Sequence, residues 1–101
     1  MIYTIRFSQL ASEDLTEVLD WYKKQDVEGL QKRFITAMSQ GLRRLEKFPK
    51  SNPIVHNDVR QALLKKFPYK ILYTVDNAIV EVLIIAIVPQ KRDPKIWQGR
   101  V

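Results

Sequence analysis

The 101-residue chain contains no cysteine. Disulfides, thiolate metal ligands and a nucleophilic thiol are therefore excluded, and the core must hold without cross-links. Histidine occurs once, as His56. With the acids of the basic part scattered, no metal site is expected, and a serine triad would have to recruit His56 from a predicted exposed loop that has no nucleophile motif near it. Glycine occurs only at 29, 41 and 99, too far apart for a phosphate-cradling loop, so no nucleotide or other cofactor is expected. Long apolar runs are also missing. The longest, Ile79 to Val88, contains Glu81 and falls short of the roughly 18 to 20 residues that span a bilayer. The opening Met1-Ile2-Tyr3-Thr4-Ile5-Arg6 lacks the basic start and apolar stretch of a secretory signal. A cytoplasmic protein with no membrane partner is expected, and with no linker, repeat or low-complexity tract, residues 1–101 read as one domain.

What the chain does have is charge. Seventeen Lys and Arg stand against eleven Asp and Glu, a net of +6, in a sequence of ordinary apolar content, 46%. The distribution matters more than the total. Residues 1–28 carry six acids and three cations, whereas residues 29–101 carry a net +9. A one-signed field over most of a small domain raises encounter rates with polyanions or with an acidic protein. The division assigns the basic character to the part expected to hold the sheet and tail.

Hydrophobic spacing predicts the elements. Tyr3, Ile5 and Phe7 alternate with Ile2, Thr4 and Arg6, the pattern of a strand with one buried face. Ser8 then caps a helix whose Ala11, Leu15, Val18, Leu19 and Tyr22 share one side, with Glu13, Asp14, Glu17 and Asp20 on the other. After a break at 25–27, the series Leu30, Phe34, Met38, Leu42, Leu45 and Phe48 predicts a second helix, stopped by Pro49. So short a joint gives an antiparallel helical hairpin. Residues 50–53 read as a loop. Three strands follow, near Val59 to Lys66, Tyr69 to Asp76 and Ile79 to Val88, punctuated by Phe67-Pro68 and Asp76-Asn77, and the short connections imply an antiparallel meander. The third is apolar on both faces from Val82 onward and should be the most buried. After Pro89 a polar tail begins, and Ile96-Trp97 is expected to anchor it back on the sheet. The fold class is α+β.

The remaining chemistry is cationic and aromatic. Arg60, Lys65, Lys66, Lys70, Lys91, Arg92, Lys95 and Arg100 are interleaved with Phe67, Tyr69, Tyr73 and Trp97. Such a set suits a phosphate backbone with stacked bases, or an acidic segment of another protein. The order of Arg60, then Phe67-Pro68-Tyr69-Lys70-Ile71-Leu72-Tyr73-Thr74-Val75, the apolar strand, and Arg92-Asp93-Pro94-Lys95-Ile96-Trp97-Gln98-Gly99-Arg100 resembles the RelE/ParE superfamily of bacterial toxins. Ala11, Asp14-Leu15 and Trp21-Tyr22 fit that superfamily's first helix, and Phe34, Leu45 and Pro49 its second. The resemblance spans essentially the whole chain.

It implies the toxin of a type II toxin–antitoxin pair, of the plasmid-stabilization kind, neutralised by a cognate antitoxin with an acidic or amphipathic C-terminal segment. The superfamily divides by target. RelE-like members cut messenger RNA on the ribosome with basic sheet residues and an acid near the C-terminus. ParE-like members lack that set and poison DNA gyrase. By this resemblance the ribonuclease candidates are Arg60, Lys70, Lys91 and Arg92, and the target- or antitoxin-binding candidates are Arg60, Lys65, Lys66, Lys70, Arg92, Trp97 and Arg100. The chain departs from the RelE-like pattern at Ala62, at Pro89 and at Trp97, whose indole donates a hydrogen bond but transfers no proton. Lys70 or Lys91 as base would need a pKa several units below about 10.4. The reading therefore leans to a ParE-like, non-enzymatic inhibitor of gyrase. Its alternatives are a ribosome-dependent endoribonuclease and a degenerate toxin that serves only as an antitoxin-binding co-repressor.

Overall fold

A computed structural model describes residues 1–101. The elements run β1 (Thr4–Phe7), α1 (Gln9–Lys24), α2 (Leu30–Lys47), β2 (Ile54–His56), β3 (Val59–Leu63), β4 (Tyr69–Asp76), β5 (Glu81–Pro89) and α3 (Lys95–Gln98). No helix is long and apolar enough to cross a membrane. Ser8 caps α1 as its position predicts, its side chain accepting from the Ala11 N–H at 3.1 Å. α2 ends at Phe48, before the proline that cannot continue it.

The five strands form one sheet in the order β1-β5-β4-β3-β2, with β1 parallel to β5 and every other pair antiparallel. β2 is an addition to the predicted meander. Three residues flanked by Pro53 carry too little pattern to be read as a strand, yet Ile54 and His56 pair with Arg60 and Val59. His56 is accordingly half-buried, correcting the expected exposed loop residue: its ring meets the edge of Trp97 at 5.8 Å between centroids.

The helical hairpin covers one sheet face. Ala11, Val18 and Tyr22 of α1 and Phe34, Met38 and Leu45 of α2 pack on Ile71, Tyr73, Val82, Ile84 and Ile87. On the opposite face Val59, Leu72, Ile85, Ala86 and Val88 are covered by Trp97 from α3. β5 serves both cores, and its register slips between Ile84 and Ala86, the partners of Tyr73 and Leu72. The extra residue is a β-bulge, which reverses the parity of the strand: Val82 and Ile84 face the helices, but so does Ile87, while Ala86 and Val88 face the tail.

The loop after α2 is pinned from the sheet. The buried Tyr73 hydroxyl donates to the Pro49 carbonyl at 2.6 Å and accepts from Asn52 Nδ2 at 3.1 Å. Arg60, paired across the strand with Tyr73, donates to the Lys50 and Asn52 carbonyls at 3.1 and 2.6 Å. Burial raises the Tyr73 pKa, and so do the lesser burials at Tyr22 and Tyr69.

Two outcomes follow from this packing. Because a raised folded-state pKa means that the native protein holds the phenolic proton more tightly than the unfolded chain, stability is intact below pH 10 and falls as the pH rises above it. Tyr73→Phe should cost about 1–3 kcal/mol at neutral pH through two lost hydrogen bonds and should flatten the alkaline decline, both readable in urea melts. Trp97 is 2% exposed and its indole N–H has no acceptor. Trp97→Ala should then lower stability by about 3–5 kcal/mol, whereas Trp97→Phe, which loses no hydrogen bond, should cost much less in the same melts.

Candidate functional site

β1 pairs only with the first part of β5, its last partner being Ile84. Beyond that point the β5 edge has no strand beside it, and its polar backbone must find other partners. Asp14 and Arg100 provide them. The Asp14 carboxylate accepts from the Ile87 N–H at 3.0 Å, and Arg100 donates to the Ile85 carbonyl at 2.9 Å. The two side chains join in a forked ion pair at 2.7 and 3.2 Å, the geometry in which arginine and carboxylate bind most strongly. Pro89 sits two residues past Ile87, so its missing N–H falls on this same open edge.

The clasp leaves a groove of about 570 Å³ between α1, the β5 edge and the tail. Glu13, Glu17 and Trp21 form its α1 wall, Tyr69 and Pro89 its floor, and Arg92 and Ile96 its tail wall. Three large apolar side chains stand exposed on its rim, Leu10, Trp21 and Ile96, at 49, 53 and 44%. Burial raises the Tyr69 pKa, and the nearby Arg92 guanidinium opposes that rise. The groove therefore joins an amphipathic wall, a strand edge closed by side chains and charges of both signs.

The candidates named from sequence do not converge on one place. Arg60 lies on the helix-facing side of β3, its guanidinium occupied by loop carbonyls. Lys70 lies on the other side of the sheet, between Leu63 and Val88 on the neighbouring strands, and is only 6% exposed. It has no carboxylate partner. Trp97 is buried on that same face. Lys91 and Arg92 are exposed at the start of the tail, and Lys65 and Lys66 at the β3–β4 turn. Arg100 is half-buried in the clasp. No cluster of His, Asp and Glu could hold a metal ion.

The basic excess is also placed differently from the expectation. On the sheet and tail, Arg60, Lys70 and Arg100 are tied down or covered. Exposed cations stand in equal number on α2, as Lys32, Arg33, Arg43, Arg44 and Lys47, and at the β3–β4 turn and tail, as Lys65, Lys66, Lys91, Arg92 and Lys95. Net charge by segment counts residues, and only packing decides which of them remain at the surface. Asp14 is the functional-looking residue that sequence placed wrongly. It was grouped with the outward acids of α1, yet it is half-buried; its signal was its position one turn from Ala11 and Val18, on the border of the apolar face.

Comparison with known proteins agrees with this architecture. Residues 5–94 match the family described as the ParE toxin of the type II toxin–antitoxin system parDE. The chain superposes on a chain of a chromosomal ParDE toxin–antitoxin system from P. aeruginosa with a TM-score of 0.73, at 16% identity, covering 87% of this chain and 96% of that one. The free E. coli toxin RelE, in a double arginine-to-alanine mutant, gives 0.65 at 17% identity over 100 and 99% of the two chains. A chain of the RelBE2 toxin–antitoxin complex of Mycobacterium tuberculosis gives 0.64 at 20% identity over 88 and 99%. No curated protein matches in sequence. With nine-tenths of its length matched by the family and its fold shared with the solved ParDE chain, this chain belongs to the ParE toxin family of type II toxin–antitoxin systems.

Proposed function

We propose that this toxin acts in the cytoplasm on DNA gyrase by protein contact, and that it has no ribonuclease chemistry of its own. The observation that carries the reading is the dispersal of the proton-transfer candidates. Cleavage by a neighbouring 2′-hydroxyl needs a base, an acid and a group that stabilises the phosphorane, all within reach of one phosphate. Here Arg60 is committed to the Lys50 and Asn52 carbonyls on one sheet face, and Lys70 is covered on the other. Lys91 and Arg92 stand at the tail with no histidine or tyrosine following them, since Trp97 occupies the last aromatic position. The P. aeruginosa ParDE match supports the same branch.

The family implies an antitoxin, and the amphipathic groove beside the clasp is the surface best suited to it. Leu10, Trp21 and Ile96 offer apolar anchors, Arg92 a cation, and Glu13 and Glu17 carboxylates. An amphipathic segment laid there buries the anchors and pairs its charges with those of the walls.

Both readings have direct tests. Micromolar toxin should reduce gyrase supercoiling or raise the level of gyrase–DNA cleavage complexes, while primer extension on translated messenger RNA after induction shows no new A-site ends. Unchanged gyrase activity accompanied by new ends would reverse the assignment, and unimpaired growth without antitoxin would leave a co-repressor. Trp21→Ala should weaken binding of the cognate antitoxin at least tenfold in calorimetry, with the urea midpoint nearly unchanged because the ring is half exposed. Undiminished affinity would place the antitoxin elsewhere.

A further inference from the structure

The structure has only two ion pairs, Arg6–Glu81 and Arg100–Asp14, so the cations of α2 have no carboxylate partner. Lys32, Arg33, Arg43, Arg44 and Lys47 are nonetheless not scattered around the helix. At 100° per residue they fall within an arc of about 120°, directly opposite the buried Phe34, Met38 and Leu45. Their stripe is about 22 Å long at 1.5 Å per residue. Thr36 and Gln40 fill the interval, both exposed, and Glu46, the one acid of α2, lies outside the arc.

Two further cations widen the stripe. Lys65 and Lys66 of the β3–β4 turn line a groove of about 810 Å³ together with Lys32, Arg33, Thr36 and Gln40. Arg44 continues the same wall against Lys65 in a smaller cleft. Seven cations thus share one surface with no acid among the residues that line it.

The helix dipole favours Arg44 and Lys47 in the last turn of α2 but disfavours Lys32 and Arg33 in the first, so folding does not account for the whole stripe. Arg43 and Lys47 stand four residues apart, and Arg44 and Lys47 three apart, the spacings at which like charges destabilise a helix. α1 shows the opposite sign on its outward face, with Glu13, Glu17 and Asp20 exposed, so the molecule is polarised between its two helices. An external anion is the remaining way to neutralise the stripe.

We propose that the outward face of α2, with Lys65 and Lys66, binds the phosphate backbone of a nucleic-acid duplex without reading its sequence. The composition of the stripe separates this partner from an acidic protein. It consists of Lys, Arg, Thr and Gln, the side chains that donate to phosphate oxygens. The exposed Leu63 and half-buried Phe67 stand beside it on the β3–β4 segment, but the cationic face of the helix itself carries none of the large exposed anchors that form the centre of a protein interface. The surface is rigid, being one face of an 18-residue helix, and long enough to meet several phosphates of one strand. Binding there adds to affinity for a target or operator that carries nucleic acid, and it does not depend on which target the toxin has.

Fluorescence anisotropy with the purified full chain and labelled 20-base-pair DNA and RNA duplexes, each in two unrelated sequences, tests the proposal across 50–300 mM KCl. Binding should be independent of sequence and fall steeply with salt, with a log–log slope close to 0.9 per phosphate contact. The triple variant Arg43→Gln, Arg44→Gln, Lys47→Gln should flatten that slope by about 2.7 and weaken binding more than tenfold at 100 mM, with an unchanged circular dichroism spectrum. Lys65→Gln with Lys66→Gln reads the same surface from outside the helix and should flatten it by about 1.8. Lys23→Gln with Lys24→Gln, an equal loss of charge at the end of α1, should have the smaller effect expected of net charge alone. Tighter binding of either duplex supports the proposal and identifies the source of the phosphates. Absence of binding to both at 50 mM, an unaltered slope in the stripe variants, or displacement of the duplex by polyglutamate at equal charge concentration overturns it.

Discussion

The constraint on which the rest of this structure depends is the unpaired edge of β5. Burial on both faces requires a long central strand, but β1 reaches only to Ile84 and then turns into α1. The Ile85 carbonyl and the Ile87 N–H would be left without partners in a nearly dry setting, at a cost of about 1–3 kcal/mol each. Asp14 and Arg100 resolve both at once and neutralise one another in doing so. Their positions, 86 residues apart, make the clasp the tie that joins the first helix to the chain's last turn. It holds the tail over the second sheet face, where Trp97 completes that core. The groove beside α1 is the space left where a further strand would lie.

The two helices of the hairpin divide the molecule's surface chemistry. α1 presents acids and a few large apolar side chains next to the open edge, a combination suited to an amphipathic protein segment. α2 presents a stripe of cations interspersed with Thr36 and Gln40, a combination suited to phosphate. An antitoxin beside α1 and a polyanion on α2 would use different surfaces, so a toxin of this build can engage both without competition.

Much of the fold was legible because the pattern that specifies it is local. The periodicities of α1 and α2, the stop at Pro49 and the two-faced apolarity of Val82 to Val88 each follow from neighbours in sequence. β2 was not legible, because three residues beside a proline give no alternation to detect. The bulge at Ile85 was hidden as well: strict alternation would put Ala86 and Val88 with Val82 and Ile84, and the register slip sends them to the opposite core. The resemblance makes Arg60 and Lys70 site candidates by their type and their order along the chain. Whether such a residue faces helix, tail or solvent is set by strand register, which places Arg60 under a loop and Lys70 under the second core. The Asp14–Arg100 pair joins the two ends of the chain, and nothing in either local pattern points to the other.

The most direct test of this account is a double-mutant cycle in urea on Asp14→Ala, Arg100→Ala and the pair. If the clasp closes the β5 edge as one unit, each single change should cost about as much as the double, giving a coupling energy on the order of 1–3 kcal/mol. Additive losses, with coupling below about 0.5 kcal/mol, would show that the two residues act separately and that the edge and tail are held by something else.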